Sequence, residues 1–579
     1  MTRQSIDAIF ISYFEDIDRY HNDHLDETYP LPSATLGALT TEEPHPEDLS
    51  ALARHARQSV QIDGQVYDLR RFLSWARYGT TAEYRRYCAF APNHLSGTYY
   101  RSLLARHGYD VHHVNCGDRA MVHELAEEFD PRFVLLSTTF LNETAIIGIA
   151  VEAIRRAFPD AILVLGGLIL VEYQNSLPPA HFSRLLSAWG ADVYVVSPEG
   201  EDALLTLLAQ PDVRRGSPEL EALSLPKTYV RKGRRYACEG GCEERSFSLD
   251  ENYIRWDLLE PSSLYHTVHT RTARSCAFKC SFCSYFSTQG QLVLASPETL
   301  REELRLLESL GTVKSVIFTD DTFNVPPTRF KELLKVLSEF DFEWYSFFRC
   351  QYMTDDLAQR MVDSGCRALM LGIESIDDVV LKNMHKSASS KSYHRGVKAL
   401  KDAGIYLHTN FIIGFPGDTP ENVRRTIRFV DDYDVDFYCV SPWYCSPGTP
   451  VWEEREQLGV TGRDYKWRHA TMDALQADEL SREMIRMPQR SVFFTELTAN
   501  CFWSQLLFYS NGFTSEEVRT LMRCYNAFMG RNTPAAELRA SAEFAAMSRV
   551  LARHEMPPPP DARFQAARRD TGAALPATT

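Results

Sequence analysis

From residue 96 the chain repeats one pattern: a short, largely apolar run, then a longer stretch with apolar positions every three or four residues. Short apolar runs bounded by turn residues predict strands, and the longer period predicts helices with one buried face. "IDAIFISYF" (6–14) reads as a first strand, and residues 15–92 then show no clean period. "SGTYYRSLLARHG" is helical and closes on Gly108, a residue type suited to the left-handed position after a helix. "YDVHHVN", "PRFVLLSTTF", "AILVLGG" and "ADVYVVSPEGE" read as strands. Between them lie the helical segments "RAMVHELAEEF", "ETAIIGIAVEAIRRAF" and "SRLLSAWG". Apolar strands alternating with helices predict a doubly wound parallel sheet, with ligands beyond the carboxyl ends of its strands.

Residues 211–262 read as a connector with short strands, after which a second alternation keeps a steadier rhythm. It starts with "HTVHTRTARS" and ends with "FYCVSPWYC", giving six β/α units in about 180 residues. Within it, "SPETLREELRLLESLG" shows a complete helix grammar: Ser296 as N-cap, Pro297 at the first turn, a Leu stripe and Gly311 as the stop. Six such units predict a partial (β/α)6 barrel of the TIM type, with chemistry at the carboxyl ends of its strands. The expected organisation is a first domain over 1–210 with an irregular insertion at 15–94, the connector, a barrel over 263–470, and a helical region over 471–555. "TSEE" from Thr514 to Glu517 reads as a capping box in that last region. The Pro/Ala-rich tail 556–579 is expected to be disordered.

Composition narrows the function classes. The net charge of −15 offers no basic footprint for nucleic acid. The longest apolar run, "AILVLGGLILV" (161–171), falls short of a bilayer span. The N-terminal apolar patch is too short for a signal peptide and is followed at once by Glu15 and Asp16. A cytoplasmic protein without nucleic-acid or membrane partners is the expectation. Its 13 cysteines are scattered and odd in number, which does not suit a disulfide framework. Only "RSCAFKCSFCSYF" (274–286) is dense, placing Cys276, Cys280 and Cys283 in the spacing C-x3-C-x2-C. Cys238 and Cys242, a lone C-x3-C in the Gly-rich connector, are read as incidental.

Thiolates are soft ligands that suit iron–sulfur clusters and zinc. Structural zinc needs a fourth ligand, which nothing nearby supplies at finger spacing. A 4Fe–4S cluster held by three cysteines leaves one iron open to another ligand. C-x3-C-x2-C directly after the first strand of a six-unit β/α barrel resembles the radical S-adenosylmethionine (SAM) superfamily. The resemblance implies that SAM's amino and carboxylate groups chelate the open iron. It assigns Asp320 and Asp321 of "TDD" to the methionine amine, and Arg349 to the SAM carboxylate. Glu374 and Ser375 of "GIES" fall to the ribose hydroxyls, and Gly414 of "NFIIGFPG" to the adenine. Each has a plainer reading: a loop-solvating acid pair, a pairing arginine, and turn glycines at Gly414 and Gly417.

The 96–205 region resembles the Rossmann-like cobalamin-binding domain found in front of many radical SAM enzymes. The residues carried over are Ser137, Thr138 and Thr139; Leu165, Gly166 and Gly167; and Glu199, Gly200 and Glu201. Cobalamin domains with a histidine lower ligand carry D-x-H-x-x-G, whereas "DVHHVN" lacks the Gly. His112 and His113 are therefore read as strand residues. At finer grain, "DDTFNVP", "FRCQY", "LGIES", "IIGFPG" and "WYC…TPVW" look like the PhpK-type family of cobalamin-dependent P-methyltransferases.

That resemblance implies methyl transfer to an unactivated carbon or a phosphinate phosphorus of a small-molecule or peptide-like natural-product precursor. The reduced cluster passes one electron to SAM, and the resulting 5′-deoxyadenosyl radical takes hydrogen from the substrate. Methylcobalamin then gives up its methyl group, and a second SAM restores it. The implied cofactors are a 4Fe–4S cluster, SAM and cobalamin, and the implied electron donor is a flavodoxin or ferredoxin. Tyr444 and Cys445, after the sixth barrel strand, are candidates to face the substrate, with buried packing as the plainer reading. Cyclisation or rearrangement without methyl transfer is the alternative chemistry. A methylthiotransferase would need a second cysteine set and a basic RNA-binding tail, and Cys88 with Cys116 does not amount to one.

Overall fold

The computed structural model describes residues 3–15, 58–89, 92–141, 144–240, 248–495 and 501–558. The disorder expected at the tail falls outside them from residue 559, as do Cys242 and residues 16–57 of the expected insertion. The chain divides into two compact units. One holds the first strand and the described residues of 90–265; the other holds 266–556 and the described residues 58–89.

In the first unit, β1 (Gln4–Ile11), β2 (Val111–Val114), β3 (Phe129–Ser137), β4 (Ile162–Gly166) and β5 (Val193–Val195) form a parallel sheet in the order β2-β1-β3-β4-β5. Two antiparallel strands, β6 (Thr228–Lys232) and β7 (Arg235–Ala237), extend it beyond β5. The stretch read as a connector thus supplies the edge of this sheet. The connecting helices are α1 (Leu95–Arg106), α2 (Arg119–Glu128), α3 (Thr144–Ala157), α4 (Leu168–Ser176), α5 (Pro179–Trp189) and α6 (Glu201–Leu208). Successive strand residues point to opposite faces, and the sheet uses both. Ile9, Ile11, Val134, Leu136 and Leu163 bury against α2, α3 and α5, whereas Ala8, Phe10, Phe133, Leu135 and Val164 bury against Leu104 and α6. Each of these side chains larger than alanine contributes about 1.5–3 kcal/mol on burial, which explains the near-continuous apolar runs of these strands.

In the second unit seven parallel strands pair in chain order: β8 (Thr267–Thr270), β9 (Ser315–Phe318), β10 (Glu343–Phe348), β11 (Cys366–Glu374), β12 (Tyr406–Ile413), β13 (Phe437–Pro442) and β14 (Val492–Phe493). The crossovers carry α7 (Pro297–Leu310), α8 (Pro327–Leu337), α9 (Asp355–Asp363), α10 (Ser390–Asp402), α11 (Pro420–Asp432) and α12 (Ala474–Arg486). This is the partial barrel that the six units predict, lengthened by β14, a two-residue strand with no periodic signal. Ser296 caps α7 by accepting the Thr299 N–H, and Gly311 ends it at φ 68°. Asp68 likewise caps a helix over Leu69–Tyr78, inside the region that shows no clean period. Its Phe72 meets Tyr525 edge-on at 5.5 Å.

Two further helices follow, α13 (Cys501–Ser510) and α14 (Ser515–Phe528), the second opened by the Thr514–Glu517 capping box. Phe348 of β10 meets Phe330 of α8, while its neighbour Phe347 meets Phe502 of α13. Thr270 of β8 donates to Glu303 of α7 at 2.7 Å, while its neighbour His269 packs edge-on against Trp503 of α13. By strand alternation, α13 lies on the face opposite the crossover helices. It runs the length of the strands, from Phe502 beside Phe347 to Tyr509 beside Tyr406, the first residue of β12. Among the described residues no helix is long and apolar enough to cross a membrane.

Candidate functional site

The cysteine loop leaves the carboxyl end of β8 through a short ladder, Arg274 opposite Val293, and turns at Ser275 with φ 68°. Ser281 then ties it to the loop after β11. Its N–H donates to the Met384 carbonyl at 3.0 Å, and its hydroxyl donates to the Asn383 carbonyl at 2.7 Å. Cys280 is buried, and Cys276 and Cys283 are half-buried. The Cys283 sulfur accepts the Tyr285 N–H at 3.4 Å, and the Cys276 sulfur lies 3.8 Å from the Thr322 hydroxyl. Burial raises both thiols, Cys283 to about 11 with the charges of Cys280, Asp321 and Cys276 pushing the same way, whereas the charge of Arg349 opposes the rise at Cys276. Thiols so placed give up their protons to a soft cation, not to water.

The donor chemistry fits an iron–sulfur cluster: three soft sulfurs on one loop, near enough to feel each other's charge. Among the described residues no three His, Cys, Asp or Glu side chains close around a single ion. A cluster does not require that, because each thiolate takes a different iron.

Around the loop, the predicted residues are mostly bound to one another. Asp320, at the end of β9, is buried and accepts the Thr272 N–H at 2.9 Å and the Thr272 hydroxyl at 3.0 Å. Arg329 holds the Thr272 carbonyl at 2.8 Å. Asp320 thus fixes the exit from β8, with burial raising its carboxyl and the Thr272 N–H opposing. Asp321 keeps an exposed surface. Desolvation by the protein around it pushes its carboxyl up to about 7, against a hydrogen bond from the Tyr285 hydroxyl.

Arg349 ends β10 at 6% exposure. Its Nη2 donates to the Cys280 sulfur at 3.0 Å, its Nη1 donates to the Lys386 carbonyl at 2.7 Å, and the guanidinium carbon lies 3.5 Å from the Phe278 ring centroid. Glu374 sits at a bulge in β11 with φ 63° and binds the buried Lys386 at 3.0 Å. The Ser375 hydroxyl accepts the Asp377 N–H at 3.1 Å.

Gly414 has φ 87°, and a Cβ there would meet Trp467 at 2.5 Å and Ala477 at 2.7 Å. Its N–H donates to Asp418 at 3.0 Å, and His469 donates to its carbonyl at 3.0 Å. Close packing therefore requires glycine at this position in addition to the turn. Tyr444 is 45% exposed and lies edge-on to Tyr465. Cys445 is fully buried and pairs with Asp464 through its backbone, and burial pushes its thiol to about 12, so it stays protonated. Lys386, Phe278, Thr272 and Tyr285 are the site residues that sequence reasoning missed. The aromatic residues inside and just after the cysteine motif were the available signal for two of them.

In the first unit, the three predicted groups sit at the carboxyl ends of three adjacent strands. Ser137 of β3 is opposite Gly166 of β4, and Gly166 is opposite Val195 of β5. The Thr138 N–H and hydroxyl both donate to the Gly166 carbonyl, at 2.7 and 3.0 Å. Gly167 has φ 126°, and a Cβ there would stand 2.7 Å from the Thr139 nitrogen. Leu165 is fully buried beneath it, and the Ser137 hydroxyl donates to that of Thr139 at 3.4 Å. Gly200 precedes α6, the Glu199 N–H donates to Ser197 at 3.0 Å, and buried Glu201 accepts the Tyr99 hydroxyl at 3.0 Å. A ledge of glycine and backbone suits the close approach of a large flat ligand such as a corrin. His112 and His113 are strand residues: His112 packs on Phe129, and His113 hydrogen-bonds Ser12 at 2.8 Å, with burial holding it well below the usual histidine range.

Residues 270–430 match the family model of the radical SAM superfamily. The chain is 33% identical over 187 residues to an uncharacterized methyltransferase of Pyrococcus horikoshii, covering 31% of this chain and 40% of that protein. It is 24% identical over 242 residues to the ribosomal protein uS12 methylthiotransferase RimO of Heliobacterium modesticaldum, covering 39% and 53% respectively. The chain thus spans between 40% and 53% of the length of these two curated relatives. Its fold is similar to that of the cobalamin-dependent S-adenosylmethionine radical enzyme OxsB with aquacobalamin bound. The TM-score is 0.50 at 12% identity, over 83% of this chain and 66% of that one. The second unit therefore carries a radical SAM domain, with the three cysteines inside the matched segment.

Proposed function

We propose that this chain is a cobalamin-dependent radical SAM methyltransferase, acting on an unactivated carbon or a phosphinate phosphorus of a natural-product precursor. The observation that carries the reading is the C-x3-C-x2-C loop at the carboxyl end of β8, inside the radical SAM match. The methyltransferase relative supports methyl transfer, and the glycine-and-backbone ledge of the first unit supports cobalamin.

When bound, the cluster would supply single-electron reduction of SAM, and cobalamin would supply the methyl group. Cys276, Cys280 and Cys283 would hold the cluster. Gly166, Gly167 and Gly200 would admit the cobalamin, with Ser137, Thr138, Thr139, Glu199 and Glu201 around it. Asp320 keeps the loop exit in place through Thr272. Lys386 neutralises Glu374 and leaves the second Glu374 oxygen for a hydroxyl of SAM. Asp321, still accessible, is the carboxylate for the methionine amine. Cys445, protonated and buried, acts as a packing residue in this reading. The acceptor is a small or peptide-like molecule, and a flavodoxin or ferredoxin in the cytoplasm is the electron source.

The test is anaerobic reconstitution with iron, sulfide and methylcobalamin, followed by SAM, reductant and an acceptor panel that includes an N-acetylated phosphinate peptide. Matched S-adenosylhomocysteine and 5′-deoxyadenosine, with one methyl gained by an acceptor, is the expected result. 5′-Deoxyadenosine alone across the panel would sink methyl transfer and favour cyclisation or rearrangement.

A further inference from the structure

The arginine at the end of β10 has two possible employers. One is the carboxylate of SAM, the role the sequence resemblance gives it. The other is the cysteine loop, where its donors are engaged. A guanidinium is planar, with N–H donors on its rim and apolar faces. Arg349 uses the rim on the Cys280 sulfur and the Lys386 carbonyl, and a face on Phe278, which lies between Cys276 and Cys280. Its backbone is fixed as well: Asn324 accepts the Arg349 N–H at 3.1 Å and donates to the Arg349 carbonyl at 2.8 Å. Turning the side chain toward another ligand would break the thiol and carbonyl contacts together and uncover the ring.

We infer that Arg349 is a positioning residue for the cluster ligand Cys280 and raises the reduction potential of the cluster through that contact. The inference rests on the proposed cluster. A reduced cluster carries one more negative charge than an oxidised one. A buried cation donating an N–H to a ligating sulfur therefore favours the reduced form. Contacts of this kind, from residues that orient a ligand without binding the metal, tune metal centres generally. Lys386 places a second buried cation nearby, but its charge is matched by Glu374. The charge of Arg349 meets no carboxylate among the described residues and falls on the sulfur.

The experiment uses the full chain, made with arginine carrying the heavy nitrogen isotope, reconstituted with iron and sulfide and reduced without SAM. Pulsed electron paramagnetic resonance of the reduced cluster should show a coupling to labelled nitrogen, and R349K should lose it. In redox titrations, R349K and R349Q should reach half-reduction at more negative potential, while SAM affinity holds. No nitrogen coupling in the wild type overturns the inference, whatever the variants do. So does an unchanged potential combined with a collapse of SAM affinity, which would return Arg349 to the SAM carboxylate. Iron and sulfide content, measured first, separates the two readings: a wild type that takes up no cluster removes the proposed function along with this inference. A cluster without the coupling removes only the role of Arg349.

Discussion

At the carboxyl edge of the first sheet, the candidate site is made of closely packed backbone: Gly166, and Gly167 pressed against the Thr138 and Thr139 amides. At the carboxyl edge of the second, it is made of charged side chains that hold one another: Asp320 on Thr272, Arg349 on Cys280, Lys386 on Glu374. The difference follows from what each edge would hold. A large flat cofactor needs a low backbone surface, and a Cβ at Gly167 would push the Thr138–Thr139 turn out of it. A small charged cofactor beside a cluster needs fixed charges, so each side chain requires a partner that keeps it fixed. The first kind of site fails by addition and the second by deletion.

That contrast can be broken in four ways. The largest effect is expected from Cys280→Ser, which should abolish cluster uptake and all SAM cleavage, read by iron content and product analysis; retained cleavage would end the reading of the loop. Next, Lys386→Met should cost about 3–5 kcal/mol in urea unfolding, because it strands a carboxylate in a buried setting. The double variant with Glu374→Gln should recover part of that loss, and equal losses in both would show the pair to be inert.

Gly167→Ala should cost about 1–3 kcal/mol, since φ 126° and ψ 166° lie where only glycine is at ease. It should also prevent cobalamin retention, followed by absorbance after gel filtration. A variant that loads cobalamin normally would mean the ledge is not the cobalamin site.

The last effect is confined to acid pH. Burial lifts the Asp418 carboxyl to about 6 despite the N–H groups of Gly414 and Thr419, against an ordinary value near 3.8. The folded state therefore binds the proton more tightly than the unfolded chain does. The stability it contributes is whole below about 3.8 and lost as pH rises through about 6, falling by at most about 1.4 kcal/mol per pH unit between them. Asp418→Asn should flatten that segment of the thermal-stability profile, and an unchanged profile would put the titration elsewhere.

Much of this was legible in the chain. The pattern of α7 could be read residue by residue, because its cap, first-turn proline, stripe and stop are all local. The cysteine loop was legible for the same reason: its chemistry lies within eight residues, Cys276 to Cys283. Strands such as β4 and the carboxyl half of β3 announced themselves because burial on two faces leaves them almost wholly apolar. What stayed hidden depends on distance in sequence. Nothing around Lys386 signals that it reaches back to Glu374, and nothing around Gly414 signals that Trp467 will fill the space beside it. The segment "CFWSQLLFYS" carries a signal of a different kind. A helix apolar on every side has no solvent face and must be enclosed, and this one lies along the barrel strands.

The position of α13 has a consequence for the order in which the molecule can be completed. Synthesis runs from the amino end, so strands β8 to β13 leave the ribosome well before residues 501–510 exist. During that interval His269, Phe347 and His408 face a lumen with nothing in it, and a ring of aromatic and histidine side chains stays open to water and to other chains. The barrel is thus a vessel whose stopper is made after its wall. Truncation anywhere before Phe502 would leave it permanently uncorked, however intact the cysteine loop.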